Sequence, residues 1–77
     1  MGNESVAEVF DRIGDLLEIK GESIYRVLAY RKAAEAIRSL GLDVRQVWEN
    51  GQLRQIPGVG EAIEGKIDEI LPSIASP

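Results

Sequence analysis

Apolar residues recur at helical spacing along the whole chain, and no segment alternates with the period of two that a half-buried strand requires. Val6, Val9, Phe10, Ile13, Leu16 and Leu17 fall at i, i+3, i+4, i+7, i+10 and i+11, one stripe on a helix of about four turns. A second set comprises Ile24, Val27, Leu28, Ala34 and Ile37. A third, shorter set is Val44, Val47 and Trp48, and a last one is Ile63, Ile67, Ile70 and Leu71. The pattern predicts an all-α fold, a small bundle of four to five helices. At 77 residues the chain has material for a single domain, 1–77, with one modest core over about residues 5–71.

Local signals place the boundaries. Ser5-Val6-Ala7-Glu8 has the spacing of a capping box and predicts the start of the first helix. Gly21 predicts its stop, and Gly14 inside it predicts a close helix contact. Ser23 opens the second helix and Gly41 closes it after Leu40. Asp43-Val44-Arg45-Gln46 is a second capping box, and Asn50-Gly51 a strong stop. Leu53 to Ile56 fit one further turn. Pro72 is expected to end the last helix, since the residue before a proline resists the helical conformation. That leaves Ser73–Pro77 as a frayed tail.

Composition removes several chemistries. There is no cysteine and no histidine, so disulfides, thiolate or imidazole metal sites and every His-based triad are absent. No Asp-x-Asp pair occurs, so a two-metal nucleotidyl-transfer site cannot be assembled within these residues. The longest apolar run is Val27-Leu28-Ala29-Tyr30, too short for a membrane span, and a cytoplasmic setting is the default expectation.

The net charge of −4 weighs against a strong general polyanion binder. Its distribution is uneven. Residues 1–18 carry five acids and one base, residues 20–38 carry five bases and two acids, and residues 49–69 carry five acids and two bases. Any nucleic-acid contact is therefore expected to centre on the second helix, where Arg31 and Arg38 share a face and Tyr30 adds a surface for stacking. The carboxylates Glu4, Glu8, Asp11 and Asp15 read as a solvated face, and Trp48, in step with Val44, as core.

Pro57-Gly58-Val59-Gly60 lies between the short turn and the last helix. Its glycines permit positive φ and close backbone approach. The first amides of the following helix are unpaired and sit at the positive end of its dipole. Together they make a concave donor cluster suited to a phosphate oxygen, with Val59 pointing inward.

Leu53-Arg-Gln-Ile-Pro-Gly-Val-Gly-Glu-Ala-Ile-Glu-Gly-Lys-Ile-Asp-Glu-Ile-Leu71 resembles the helix-hairpin-helix of family-X DNA polymerases. Val9-Phe-Asp-Arg-Ile-Gly-Asp-Leu-Leu-Glu-Ile-Lys-Gly-Glu22 and Tyr25-Arg-Val-Leu-Ala-Tyr-Arg-Lys-Ala-Ala-Glu-Ala-Ile37 are similar to the opening of bacterial members. The second stretch is also similar to the matching helix in the amino-terminal domain of DNA polymerase beta. The resemblance implies a DNA-repair module that holds the 5′-phosphate side of gapped or nicked DNA. It also implies residual 5′-deoxyribose-phosphate lyase chemistry with Lys66 as the Schiff-base amine. It places DNA contacts at Arg26, Tyr30, Arg31, Arg54, Gly58, Val59 and Gly60. It places a monovalent cation, Na+ or K+, on the backbone carbonyls of Arg54, Ile56 and Val59. The chain would then be either an excised part of a polymerase with further domains or a short free-standing relative.

The sequence departs from that pattern at several positions. Tyr25 stands where the family has a stacking histidine, Ala62 where it has a phosphate-binding lysine beside Glu61, and Glu64 where it has a small residue. Two readings of Lys66 stay open. It borders the apolar stripe, about 60° from Ile63 on a helical wheel, where desolvation favours a nucleophilic neutral amine. Glu69, three residues on, favours the ammonium and an ordinary boundary salt bridge. For the domain as a whole, the rival to DNA binding is a protein-interaction module with an acidic surface.

Overall fold

The helical periodicity resolves into four α-helices and one 3-10 turn. They are α1 (Asn3–Ile19), α2 (Ile24–Arg38), α3 (Val44–Glu49), the 3-10 turn Leu53–Gln55 and α4 (Glu61–Ala75). The computed structural model describes residues 2–75, with side-chain surroundings given through residue 72. Among these residues there is no strand, and no helix is long and apolar enough to cross a membrane.

The α1 stripe buries Val6, Ala7, Phe10 and Gly14, with Ile13 and Leu17 partly buried beside them. Leu16, expected inward, lies at the edge of the stripe and is 59% exposed. The helix also starts earlier than the Ser5 capping box predicts. Gly2 is the N-cap, with extended backbone, and the Ser5 amide already donates to the Gly2 carbonyl at 3.2 Å. The cause is tertiary. The Asn3 amide donates to the carbonyls of Ile37 (3.2 Å) and Leu42 (2.7 Å), and its Oδ1 accepts from the Val44 amide at 2.8 Å. One side chain therefore fastens the start of α1 to the end of α2 and the start of α3.

Gly21 stops α1 as predicted. At φ +76° it lets its own amide reach the Glu18 carbonyl (3.0 Å) and the Glu22 amide reach the Leu17 carbonyl (2.9 Å), a Schellman closure. Ser23 caps α2, its Oγ accepting from the Tyr25 amide. α2 ends at Arg38 rather than Leu40, and Gly41 takes no left-handed conformation. Its buried stripe is Val27, Tyr30, Ala33, Ala34 and Ile37, whereas Ile24 and Leu28, expected inside, are exposed. The stripe is rotated because α2 contacts α1 and also α4. Tyr30 therefore enters the core, its ring centroid 5.6 Å from that of Phe10. At Gly14 the helices come close, as expected: an added Cβ would lie 3.3 Å from Arg31 Cγ and 3.7 Å from the Val27 carbonyl.

Asp43 caps α3 through Oδ1 to the Arg45 amide at 2.9 Å. Val44 and Val47 are buried, and Trp48 packs at the core's edge with its indole N–H donating to Asp68 of α4 at 2.8 Å. Of the Asn50-Gly51 stop only Gly51 is left-handed (φ +68°), and it closes a second Schellman turn from Gln52 to Val47. Leu53, Ile56, Val59, Ile63, Ile67 and Leu71 complete the core. α4 continues through Pro72 to Ala75, which overturns the expected stop. The missing proline amide forfeits one backbone bond, and only within the last turn. The backbone at residues 73–75 is accordingly helical rather than frayed, and the rest of the expected tail, residues 76–77, lies outside the described residues.

Candidate nucleic-acid interface

The hairpin forms because three apolar side chains pin a short backbone excursion to the core. Leu53, Ile56 and Val59 are all buried, with Pro57 and Gly58 exposed between them. The Val59 amide donates to the Ile56 carbonyl at 3.0 Å across the turn. Gly58 stands at φ +92°, a conformation that L side chains rarely adopt. An added Cβ there would approach the Lys32 carbonyl of α2 at 3.7 Å and the Ala36 methyl at 3.8 Å. Gly60 differs from expectation: its φ is not positive and nothing lies within 4 Å of an added Cβ. It acts as the first acceptor of α4, its carbonyl taking the Glu64 amide at 2.9 Å. The amides ahead of Glu64 lack intrahelical acceptors and open onto the exposed residues Glu61 and Ala62.

A family description, the helix-hairpin-helix domain, matches residues 1–73. The chain belongs to the helix-hairpin-helix domain family. No curated protein and no solved structure matches the chain.

This helix-hairpin-helix domain distributes its cations in a way the sequence did not reveal. Arg26 donates to Glu22 at 2.9 Å along α2. Arg31 lies over Gly14 and reaches Asp15 and Glu18 of α1, each at 3.0 Å. Arg38 spans Glu4 (3.1 Å) and Asp11 (2.7 Å). The hydrogen bond that Arg38 donates to Asp11, then those to Glu4, raise the Arg38 pKa. Of the acids read as a solvated face, Glu4, Asp11 and Asp15 are thus ion-pair partners, because antiparallel packing sets the acidic flank of α1 against the basic flank of α2; Glu8 is exposed, as expected. Lys32 and Arg54 are exposed, and neither has an ion pair or side-chain hydrogen bond among the described residues.

The remaining expected site residues separate accordingly. Arg54, Gly58, Val59 and Gly60 belong to the hairpin. Tyr30 is buried against Phe10, so no ring face is open to stack on a base, which corrects that expectation. Arg31 is turned to α1, where Asp15 and Glu18 hold it. Lys66 is partly buried and bonded to Glu69 at 2.9 Å. That hydrogen bond raises the lysine pKa, desolvation opposes it, the Glu69 charge and then Tyr30 add to the rise, and Arg26 lowers it least of all. Lys66, Arg26 and Tyr30 therefore share one side of the molecule. Among the described residues no cluster of three or more carboxylates could hold a metal ion. Of the three carbonyls expected to hold a monovalent cation, those of Arg54, Ile56 and Val59, the Ile56 oxygen accepts the Val59 amide and keeps its second lone pair. Sequence reasoning missed Asn3, whose three bonds run to residues more than thirty positions away, and it gave Lys32 no separate role.

Proposed function

We propose that this helix-hairpin-helix domain binds DNA through the phosphate backbone, with the hairpin as the central contact. Family membership supports DNA binding in general terms. The observation that carries the reading is the left-handed Gly58 turn, pinned between buried Ile56 and Val59, with the first amides of α4 and the uncommitted Arg54 beside it. A helix N-terminus with a free cation alongside favours an anion. The sequence resemblance to family-X polymerases supports the finer reading: the 5′-phosphate side of a gap or nick, in DNA repair. The same resemblance supports a monovalent cation on the Arg54, Ile56 and Val59 carbonyls, where it would offset charge between the protein and a DNA phosphate.

Lyase chemistry is a second reading, favoured by the sequence resemblance and by the partly buried position of Lys66 beside buried Ile63 and Ile67. The amine must be neutral to add to the C1′ aldehyde of a ring-opened sugar and lose water to form an imine. The resting form is the ammonium, and the Glu69 hydrogen bond stabilises it further, which disfavours this step in the free protein. Borohydride trapping on DNA carrying a 5′-deoxyribose phosphate decides it: an adduct mapping to Lys66 supports the lyase, and none leaves a binding module.

A salt titration tests the main reading. Few phosphate contacts predict a shallow slope of log K against log salt, about −2 to −3. Binding should favour a 5′-phosphate over a 5′-hydroxyl, and Arg54→Gln should weaken it. No binding at low salt would instead favour a protein-interaction module, for which the exposed Ile19 and Tyr25, each 82% accessible, offer contact surface.

A further inference from the structure

Beside the hairpin runs a shallow crease of about 310 Å³, lined by Lys32, Glu35, Ala36, Ser39, Pro57 and Gly58. The α2 residues in it fall at i, i+3, i+4 and i+7, so they form one stripe along the helix. The approach of Gly58 to the Lys32 carbonyl and the Ala36 methyl fixes the spacing between the two walls. We infer that this crease is a second phosphate subsite, continuous with the hairpin, in which Lys32 contacts the DNA backbone and Glu35 weakens that contact. The inference rests on the DNA-binding reading and specifies which face of α2 the strand crosses.

Three observations converge on Lys32. It is the basic residue of α2 that carries no ion pair among the described residues, while Arg26, Arg31 and Arg38 are each held by carboxylates. A cation already bonded to an acid must break that bond to take a phosphate; Lys32 need not. Its stripe also brings the Ser39 hydroxyl to the crease, a donor for a phosphate oxygen. Finally, a strand held at the exposed amides after Gly58 needs cations beside the hairpin, and Arg31, the basic neighbour of Lys32, is occupied across the α1 interface. Glu35 sits in the same stripe with no ion pair among the described residues, so its charge acts on whatever occupies the crease.

The two residues therefore predict shifts of opposite sign. Lys32→Gln should weaken binding to a 5′-phosphorylated gapped duplex three- to tenfold and flatten the salt slope by about one. Glu35→Gln should tighten binding by a similar factor. Arg12→Gln, the same charge change on the exposed side of α1, is the control and should shift affinity less than twofold. Circular dichroism and melting confirm that each variant folds. If Lys32→Gln, Arg54→Gln and Arg12→Gln all lose affinity equally, only diffuse charge is at work and the subsite is wrong. If Arg54→Gln weakens binding and Lys32→Gln does not, the hairpin reading stands and the crease falls. If the wild type binds no DNA at low salt, both fall together.

Discussion

In the α1–α2 pair each arginine of α2 is held by one or two carboxylates; Arg54 at the hairpin and Lys32 in the neighbouring crease are held by none among the described residues. The two regions share one core, since Phe10 and Tyr30 belong to the same buried cluster as Val59, Ile63 and Ile67. They differ in what their charges do. Along α1–α2, opposite charges on adjoining flanks pair within the molecule, and two of the three α2 arginines bridge to the other helix. Around the hairpin, shape is set by a positive-φ glycine and buried aliphatic anchors, which leaves cations and amides available. A net-acidic protein can therefore present a local anion site, because the α1 acids are partly neutralised by α2 arginines while Arg54 and Lys32 stay uncommitted among the described residues.

The largest expected effect tests whether the shared core joins the regions. Phe10→Ala removes a fully buried ring and should cost about 3–5 kcal/mol, much of a small domain's total stability. Helicity should be lost in one transition. Survival of α4 in a two-step melt would show the hairpin region to be independent of α1–α2.

Next comes the backbone of the hairpin. Gly58→Val places a β-branched side chain at φ +92° and should cost about 1–3 kcal/mol in a denaturant titration. Gly60→Val, where φ is not positive and space is open, should cost clearly less. Equal losses at both positions would mean that the hairpin is not held by the Gly58 conformation.

Asn3→Ala tests the corresponding anchor of the other region. It removes three hydrogen bonds to backbone groups, and should cost about 1–2 kcal/mol because the freed groups are only partly buried. Asn3→Asp keeps the bond to the Val44 amide and should recover part of the loss. Arg31→Gln should cost less than about 1 kcal/mol, as befits half-exposed ion pairs; a larger loss would give those pairs a structural weight their exposure does not suggest.

The smallest effect in stability, though a clear one in titration, is at Lys66. Glu69→Gln removes the hydrogen bond that most raises the lysine pKa, so NMR titration of the Lys66 ammonium should move downward. The folded pKa lies above the unfolded one, so whatever stability the pair contributes is present below the unfolded lysine pKa of about 10.4 and is lost as pH rises through the folded value. The variant's melting near neutral pH should then differ little from wild type. An unmoved titration would separate Lys66 from Glu69 in solution.

Local rules were legible wherever they act within a few residues. Ser23 and Asp43 cap their helices, Gly21 and Gly51 stop theirs, and Val59 turns inward, because each outcome depends on backbone geometry that the immediate sequence fixes. The all-α class follows from apolar periodicity for the same reason. The errors arose where two helices meet. Which flank of α2 faces the core depends on α1 and α4 together, so Ile24 and Leu28 were read as inside and Tyr30 as free to stack. The start of α1 is drawn to Asn3 by carbonyls at Ile37 and Leu42, which no local window contains. The charge assignment failed most instructively. Sequence places the basic residues on α2 and offers Glu22 to Arg26 at i,i+4, but only the antiparallel docking of α1 gives Arg31 and Arg38 their carboxylates. Coulombic pairing acts through space, over a few ångströms, and is blind to sequence separation. The sequence by itself thus determined the helical class, the caps that open α2 and α3 and the hairpin turn; the tertiary structure decided where α1 begins and which cations remain free for a phosphate.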